Sequence, residues 1–571
     1  MTGGEMIARM LQLHDVQVMM GMGGFQLLPM YDAFRRFNLR HYLVNDEKTA
    51  VCAMDAYARV TNKPGVCDAS LGPGATNLVT GLVESFNAGI PLISLVGDTN
   101  RDHSWKNMTQ ECRQSEILKP AVKELIRIER LERIPEMVRR AFSVAASGKP
   151  GPVVLDVPED VCHGEGEITE AHFQANRLVK RVPSQRCRPE AREVERAADW
   201  LAKARRPLLL VGGGIHISEA YSPLLELAEN NGIPVGHTIS GKGAIPCSHP
   251  LSAGVFGRYS RIANDLIQSS DLLIVVGCKL GEIATKRFQL IQPGVPMVHL
   301  DIIPEEFGRT TPADICLLGD ARLGLEDLAA AVGDKAEKAR AARREYVAEI
   351  PERMKIWRQG AESKLRSAER PINIARLYEE LNAVMPERSV LVADGGFAAH
   401  WGGLLYDTKS AGRMFVANRG FASIGYGLPG TIGAKLGAPD RAVVGVTGDA
   451  GFNMMIGDLE TARRIGLPLV IIVVNNSASG YVKALQHLLY GSEGYQSSDL
   501  SETNFAGVAR AMGCEGVRVE DPGDLRRVFE EVISGSAGPV VVDVVVTRDP
   551  AQMLPGVDNR IARIEKGDRI A

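Results

Sequence analysis

Short β-branched runs alternate with amphipathic stretches along most of the chain, the pattern of parallel sheets covered by helices. A first block carries the candidate strands VQVMM, HYLVN, GVCDAS, PLISLVG and PVVLDVP. Between them, stretches such as EKTAVCAMDAYARV place apolar or small residues at helical spacing. A second block holds PLLLVGGG, IPVGHT, DLLIVVGCKLG and PMVHLDI, and a third holds VLVAD, AVVGVTGD, PLVIIVVNN and PVVVDVVVT. The pattern predicts an α/β protein of three doubly wound parallel-sheet domains, at 1–170, 188–345 and 372–550. The segment 346–371 is strongly charged and reads as a solvated helix and linker, and 551–571 reads as a tail. The first and third blocks share a similar αβ rhythm.

Composition narrows the function classes. The 571 residues are 45% hydrophobic and 24% charged, an ordinary soluble balance. A net charge of -3 argues against nucleic acid or an anionic membrane as the main partner. No apolar run approaches the roughly 20 residues that span a bilayer. The beginning MTGGEMIARMLQLHD lacks an apolar signal region, and nine cysteines without a CxxC pair suit reduced thiols. A cytoplasmic location is expected.

The chemistry gathers at the stretch TGDAGFNMMIGDLETARRIGLPLVIIVVNNSASG (447–480). Strand AVVGVTG should end at Gly448, a single helix should follow, and PLVIIVV should end at Asn475 and Asn476. Parallel strands would bring Asp449 and Asn476 to the same sheet edge, where ligands of open α/β sheets collect. A carboxylate and a carboxamide oxygen side by side are hard ligands suited to magnesium or calcium. Gly448 and Gly451 would let a diphosphate approach the backbone near a helix N-terminus.

This stretch resembles the motif of the thiamine-diphosphate-dependent enzymes: Gly-Asp-Gly or Gly-Asp-Ala, then a second asparagine about 27 residues later. The resemblance implies thiamine diphosphate held by Mg2+ on Asp449, Asn476 and the carbonyl of Ala478. Gly448, Ala450, Gly451, Gly480 and Tyr481 would lie around the cofactor. VNDEKTAVCAMDAYARV is similar to the region bearing the essential glutamate of acetolactate-synthase-like enzymes, and the resemblance implies that Glu47 would be the acid that activates the cofactor. The family's preceding histidine is Asp46 here. ASLGPGATN is similar to their next segment and would put Gly72, Pro73, Gly74 and Asn77 beside the cofactor. NRGFASIGYG resembles the segment that bends the cofactor, with Ile424 between its rings and the Ala422 carbonyl on its amino group. In ADGGFAAHW, Gly395, Gly396, Phe397 and Ala398 would line the diphosphate, while His400 reads as structural.

The resemblance implies carbon–carbon bond chemistry next to a carbonyl, with Gln110 orienting the intermediate and Glu493 as a candidate second acid–base group. It also implies a homodimer at minimum, commonly a homotetramer, with Glu47 and the magnesium site supplied by different subunits. Three positions depart from the biosynthetic acetolactate synthases: Thr109, Glu159 and Leu485 stand for phenylalanine, lysine and tryptophan. The small-molecule donor, a 2-oxo acid or an acyl-CoA, therefore stays open. Arg560, Arg563, Lys566 and Arg569 could close over a phosphorylated substrate, which would favour a 2-hydroxyacyl-CoA lyase or oxalyl-CoA-type decarboxylase. A flavin-coupled oxidase is a further alternative. The central block offers Gly212, Gly213, Gly214 and Asp301, but no complete GxGxxG, and the family's flavin-associated run is replaced by KLGEIATKR. FAD or ADP there is possible but not expected to be required.

Overall fold

The computed structural model describes residues 1–557. The calls on Arg560, Arg563, Lys566 and Arg569 lie outside the described residues.

Each hydrophobic block closes its own six-stranded, all-parallel sheet. The first contains β1 (Val18–Met22), β2 (Arg40–Leu43), β3 (Gly65–Ala69), β4 (Leu92–Asp98), β5 (Glu124–Arg127) and β6 (Pro152–Pro158). The second contains β7 (Pro207–Val211), β8 (Val235–His237), β9 (Ser252–Val255), β10 (Leu272–Val276), β11 (Met297–Asp301) and β12 (Ile315–Leu318). The third contains β13 (Val390–Ala393), β14 (Phe415–Ala417), β15 (Val443–Gly448), β16 (Val470–Asn475), β17 (Glu515–Val519) and β18 (Val540–Val545).

The first sheet runs β2-β1-β3-β4-β6-β5 and the third β14-β13-β15-β16-β18-β17, which is the same topology repeated. The shared rhythm of the two sequence blocks is thus a shared fold. The central sheet runs β12-β11-β10-β7-β8-β9, the doubly wound order that reverses between β7 and β10.

Two sequence expectations need correction. The charged segment is not merely solvated: within the helix Arg344–Leu365, Tyr346, Ile350, Trp357, Ala361 and Leu365 are buried in a core shared by the central and third domains. Charge on the remaining faces hid this stripe. The single helix expected after Asp449 is two, Asp449–Met455 and Asp458–Arg464. At the break, the Gly457 carbonyl accepts both the Glu460 N–H and the Asn45 side chain of the first domain, each at 3.1 Å.

The first and third domains meet through the helices Glu47–Thr61 and Gly427–Gly437. Their contact needs Gly433, where a Cβ would lie 1.7 Å from the Ala53 carbonyl oxygen.

Candidate active site

β15 and β16 pair in register from Val444↔Val470 to Gly448↔Val474, so Asp449 and Asn476 leave the same edge of the sheet. The Asp449 carboxylate is 3% exposed. Its Oδ1 accepts from the Ala450 N–H at 2.8 Å, and its Oδ2 from the N–H groups of Asn476 at 3.1 Å and Ala478 at 3.3 Å. Among the described residues no lysine or arginine pairs with it. Burial therefore outweighs these hydrogen bonds and pushes its pKa up to about 6. The donor set of carboxylate, carboxamide and carbonyl oxygens matches a hard divalent cation, whose charge is what this buried carboxylate lacks. A Cβ at Gly448 would meet nothing within 4 Å, which leaves room for a bulky anion. The helices Phe397–Leu405, Asp449–Met455 and Gly480–Tyr490 all begin at this edge and turn N–H groups toward it. Residues and space fit a metal-bound diphosphate.

Gly395 is packed so that a Cβ would lie 2.6 Å from the Ser423 carbonyl oxygen, and Gly396 has φ +65°. The strand-to-helix turn 395–398 thereby rests against the loop carrying Ala422 and Ile424. Ala422 has φ +62°, and Ile424 is 37% exposed at the sheet edge. Phe397 meets the Tyr481 ring edge-on at 5.0 Å, and the Tyr481 hydroxyl accepts from Arg258 at 2.9 Å. His400 is buried and neutral, its pKa lowered by burial and by nearby arginines, as a structural histidine would be.

Glu47 opens the helix Glu47–Thr61, with Asp46 as N-cap accepting the Lys48 N–H at 2.7 Å. It is 5% exposed, and its Oε2 accepts from Asn77 Nδ2 at 2.9 Å. Pro73 starts the short helix Pro73–Asn77 that presents this donor. A Cβ at Gly74 would lie 2.9 Å from Glu47 Oε1, and one at Gly72, which has φ +62°, would strike the Gln110 carbonyl oxygen at 2.0 Å. The sequence-chosen residues thus form two clusters, one on each repeated sheet. The neighbour of Glu47 links them: Lys48 Nζ donates to the Ile424 carbonyl at 3.2 Å.

Two candidates sit differently from the rest. Gln110 is exposed with φ +66°, and it meets the Gly72 loop through its backbone. Glu493 is exposed on the turn Ser492–Gly494, beyond the far end of the helix that starts at Gly480. Sequence reasoning passed over Gln114. It is buried, its Oε1 accepts the Gly72 N–H at 3.0 Å, and its Nε2 donates to Gly97 O and Asp156 Oδ1, both at 2.9 Å. No local motif flags this glutamine; only the fold brings it under the Gly72 loop.

A cleft of about 540 Å³ opens over the central sheet, lined by Gly212, Gly213, Gly214 and Asp301 of the central domain and by Arg413 and Arg419 of the third, among others. It lies at the switch between β7 and β10. Asp301, at the end of β11, is pushed up to about 6 by burial.

Three parallel α/β units, the first carrying a buried glutamate and the third a buried aspartate at its ligand edge, are the arrangement of a cofactor-dependent enzyme. Comparison with known proteins identifies the three domains. Residues 1–117, 194–328 and 394–544 match in turn the N-terminal TPP binding domain, the central domain and the C-terminal TPP binding domain of the thiamine pyrophosphate enzymes. The chain is 33% identical over 565 residues to a probable acetolactate synthase large subunit of Methanocaldococcus jannaschii, covering 98% of this chain and 93% of that one. It is 32% identical over 571 residues to an acetolactate synthase of Mycobacterium bovis (98% and 90% covered). It is 28% identical over 567 residues to the acetolactate synthase large subunit of Haemophilus influenzae (98% of each).

The chain belongs to the thiamine pyrophosphate enzymes, in their acetolactate-synthase-like branch. It is a thiamine-diphosphate-dependent enzyme of carbon–carbon bond chemistry. No described helix is long and apolar enough to cross a membrane.

Proposed function

We propose that this enzyme takes a 2-oxo acid, with pyruvate the first candidate, releases CO2, and delivers the remaining acyl unit to a second carbonyl compound. The observation that carries the reading is Asp449: a buried carboxylate with no lysine or arginine partner among the described residues, held by the N–H groups of Asn476 and Ala478 at the ligand edge of the sheet. The relatives are named acetolactate synthases, and two pyruvates less one CO2 make acetolactate, which supports pyruvate as donor. When bound, thiamine diphosphate supplies the carbon that attacks the donor carbonyl and accepts the electrons left by CO2.

The chain's own residues bind, orient and move protons. Asp449, Asn476 and the Ala478 carbonyl would hold Mg2+, which ties down the diphosphate. The helix starts at Phe397 and Asp449 offer N–H groups to the same anion. Ile424, exposed at the edge, would support the bent cofactor from below, and the Ala422 carbonyl would accept from its amino group. Glu47 would exchange a proton with the aminopyrimidine ring, and Asn77 fixes the rotamer from which it does so. Because Glu47 and Asp449 lie in separate clusters, a second copy of the chain would bring one acid to the other's cofactor. The working unit is then at least a homodimer.

The test is Glu47→Gln assayed with thiamine diphosphate and Mg2+ against pyruvate, benzoylformate, oxalyl-CoA and a 2-hydroxyacyl-CoA. Turnover should fall by on the order of 10²–10⁴ while cofactor binding persists. Full activity in the variant would sink the assignment, and turnover of the CoA esters alone would replace pyruvate with an acyl-CoA donor.

A second reading concerns the central cleft, whose glycine turn and Asp301 suit the phosphates and ribose of a nucleotide such as FAD or ADP. Heat-denatured protein should release that nucleotide, and flavin absorbance decides between the two.

A further inference from the structure

We propose that Glu84 is a positioning residue for the cofactor: reaching across from the first domain, it sets the loop whose Ala422 carbonyl would face the aminopyrimidine. The inference rests on the cofactor reading above. Glu84 lies on the helix Val79–Ala88 and is 1% exposed. Its carboxylate accepts three successive backbone N–H groups from the third domain: Gly420 at 2.9 Å, Phe421 at 2.5 Å and Ala422 at 3.1 Å.

Three consecutive amides converge on one anion only if the chain curls into a nest, and the left-handed φ of +62° at Ala422 belongs to that curl. A residue with a Cβ adopts this conformation at a cost, so the surrounding structure must hold it. Gly420 has no alternative, since a Cβ there would lie 2.3 Å from the Glu84 carbonyl oxygen.

The far side of the loop has a matching grip. Asp394 accepts from Gly425 at 3.1 Å and Tyr426 at 2.8 Å. Between the two carboxylates lie Ser423 and Ile424, the stretch that must meet the cofactor. Glu84 is itself charge-balanced by Arg59, which donates to it at 2.8 Å and is anchored on Asp55 at 2.6 Å. The conformation of a third-domain loop is thus fixed by the first domain of the same chain.

The experiment separates the two halves of the cofactor. Affinities of the metal-loaded, cofactor-free protein for thiamine diphosphate and for inorganic pyrophosphate are measured by intrinsic fluorescence in wild type, Glu84→Gln, Glu84→Asp and Asp449→Ala. Glu84→Gln should weaken thiamine diphosphate about tenfold, as expected for a lost charge-assisted hydrogen bond, and leave pyrophosphate unchanged. Glu84→Asp should fall between it and wild type. Equal weakening of both ligands, or of neither, overturns the proposal. Asp449→Ala should lose both ligands, and if it loses neither the cofactor reading itself fails.

Amide hydrogen exchange on the wild-type protein without cofactor needs no variant to fold. Gly420, Phe421 and Ala422 should exchange slowly and Ser423 and Ile424 fast; fast exchange at all five positions overturns the proposal.

Discussion

Asp449 carries its consequences in its surroundings. An aspartate in water titrates near 3.8, and this one is raised to about 6 because burial penalises its anion more than the backbone N–H groups around it favour it. The sign follows. The metal-free folded chain holds a proton that the unfolded chain has released, so this group weakens the fold as pH rises from about 4 to about 6. A divalent cation must displace the same proton. Mg2+ affinity in the presence of thiamine diphosphate should be level above about pH 6 and fall up to tenfold per pH unit below it, with release of one proton on binding. Titration calorimetry from pH 5 to 8, corrected for Mg2+ binding by the free cofactor, measures this (roughly a three-unit span). Asp449→Asn should remove both the affinity and the pH dependence; a variant that keeps the slope would assign the proton elsewhere. Asp449 was legible in the sequence because strand, turn and asparagines lie within one local stretch. Glu84 and Gln114 were not, since each acts on backbone amides far along the chain and leaves no local pattern.

Strands were legible more by their place in the sheet than by their burial, since β9 and β14 are fully buried yet were passed over. Every interior strand stood out as an apolar run, whereas the strands passed over, β5, β9, β12, β14 and β17, are all sheet edges. An edge strand is short or faces water on one side. In β12 exposure alternates along Ile315–Leu318, and β5 reads Glu-Leu-Ile-Arg with one buried residue. Helix contacts are harder still to read, because they depend on small residues whose role appears only in three dimensions. Gly433 is the clearest case: its missing side chain lets the helix Gly427–Gly437 lie on the helix that begins with Glu47. Backbone cannot yield as a flexible side chain can, so Gly433→Ala should cost on the order of 1–3 kcal/mol by overpacking. The measurement is the urea midpoint of the cofactor-free protein. Unchanged stability would mean that the two helices slide apart without penalty.

At the scale of the molecule, the repeated topology of the first and third sheets has a functional corollary. Within one chain these two domains pack helix to helix, with the Glu47 cluster on one and the Asp449 cluster on the other. If a second copy completes each site, a dimer holds two sites, each built from the Glu47 of one chain and the Asp449 of the other. Mixing two inactive variants then decides the architecture. In a dimer of one Glu47→Gln chain and one Asp449→Ala chain, one site carries both lesions and the other carries neither. Co-expressed variants should recover roughly a quarter of wild-type activity, because about half of random dimers are mixed and each keeps one intact site. If each chain instead completed its own site, every site in the mixture would carry a lesion and no activity would return. Tagging the two variants differently and purifying the mixed dimer should raise recovery to about half, a stoichiometry that only sites shared between chains produce.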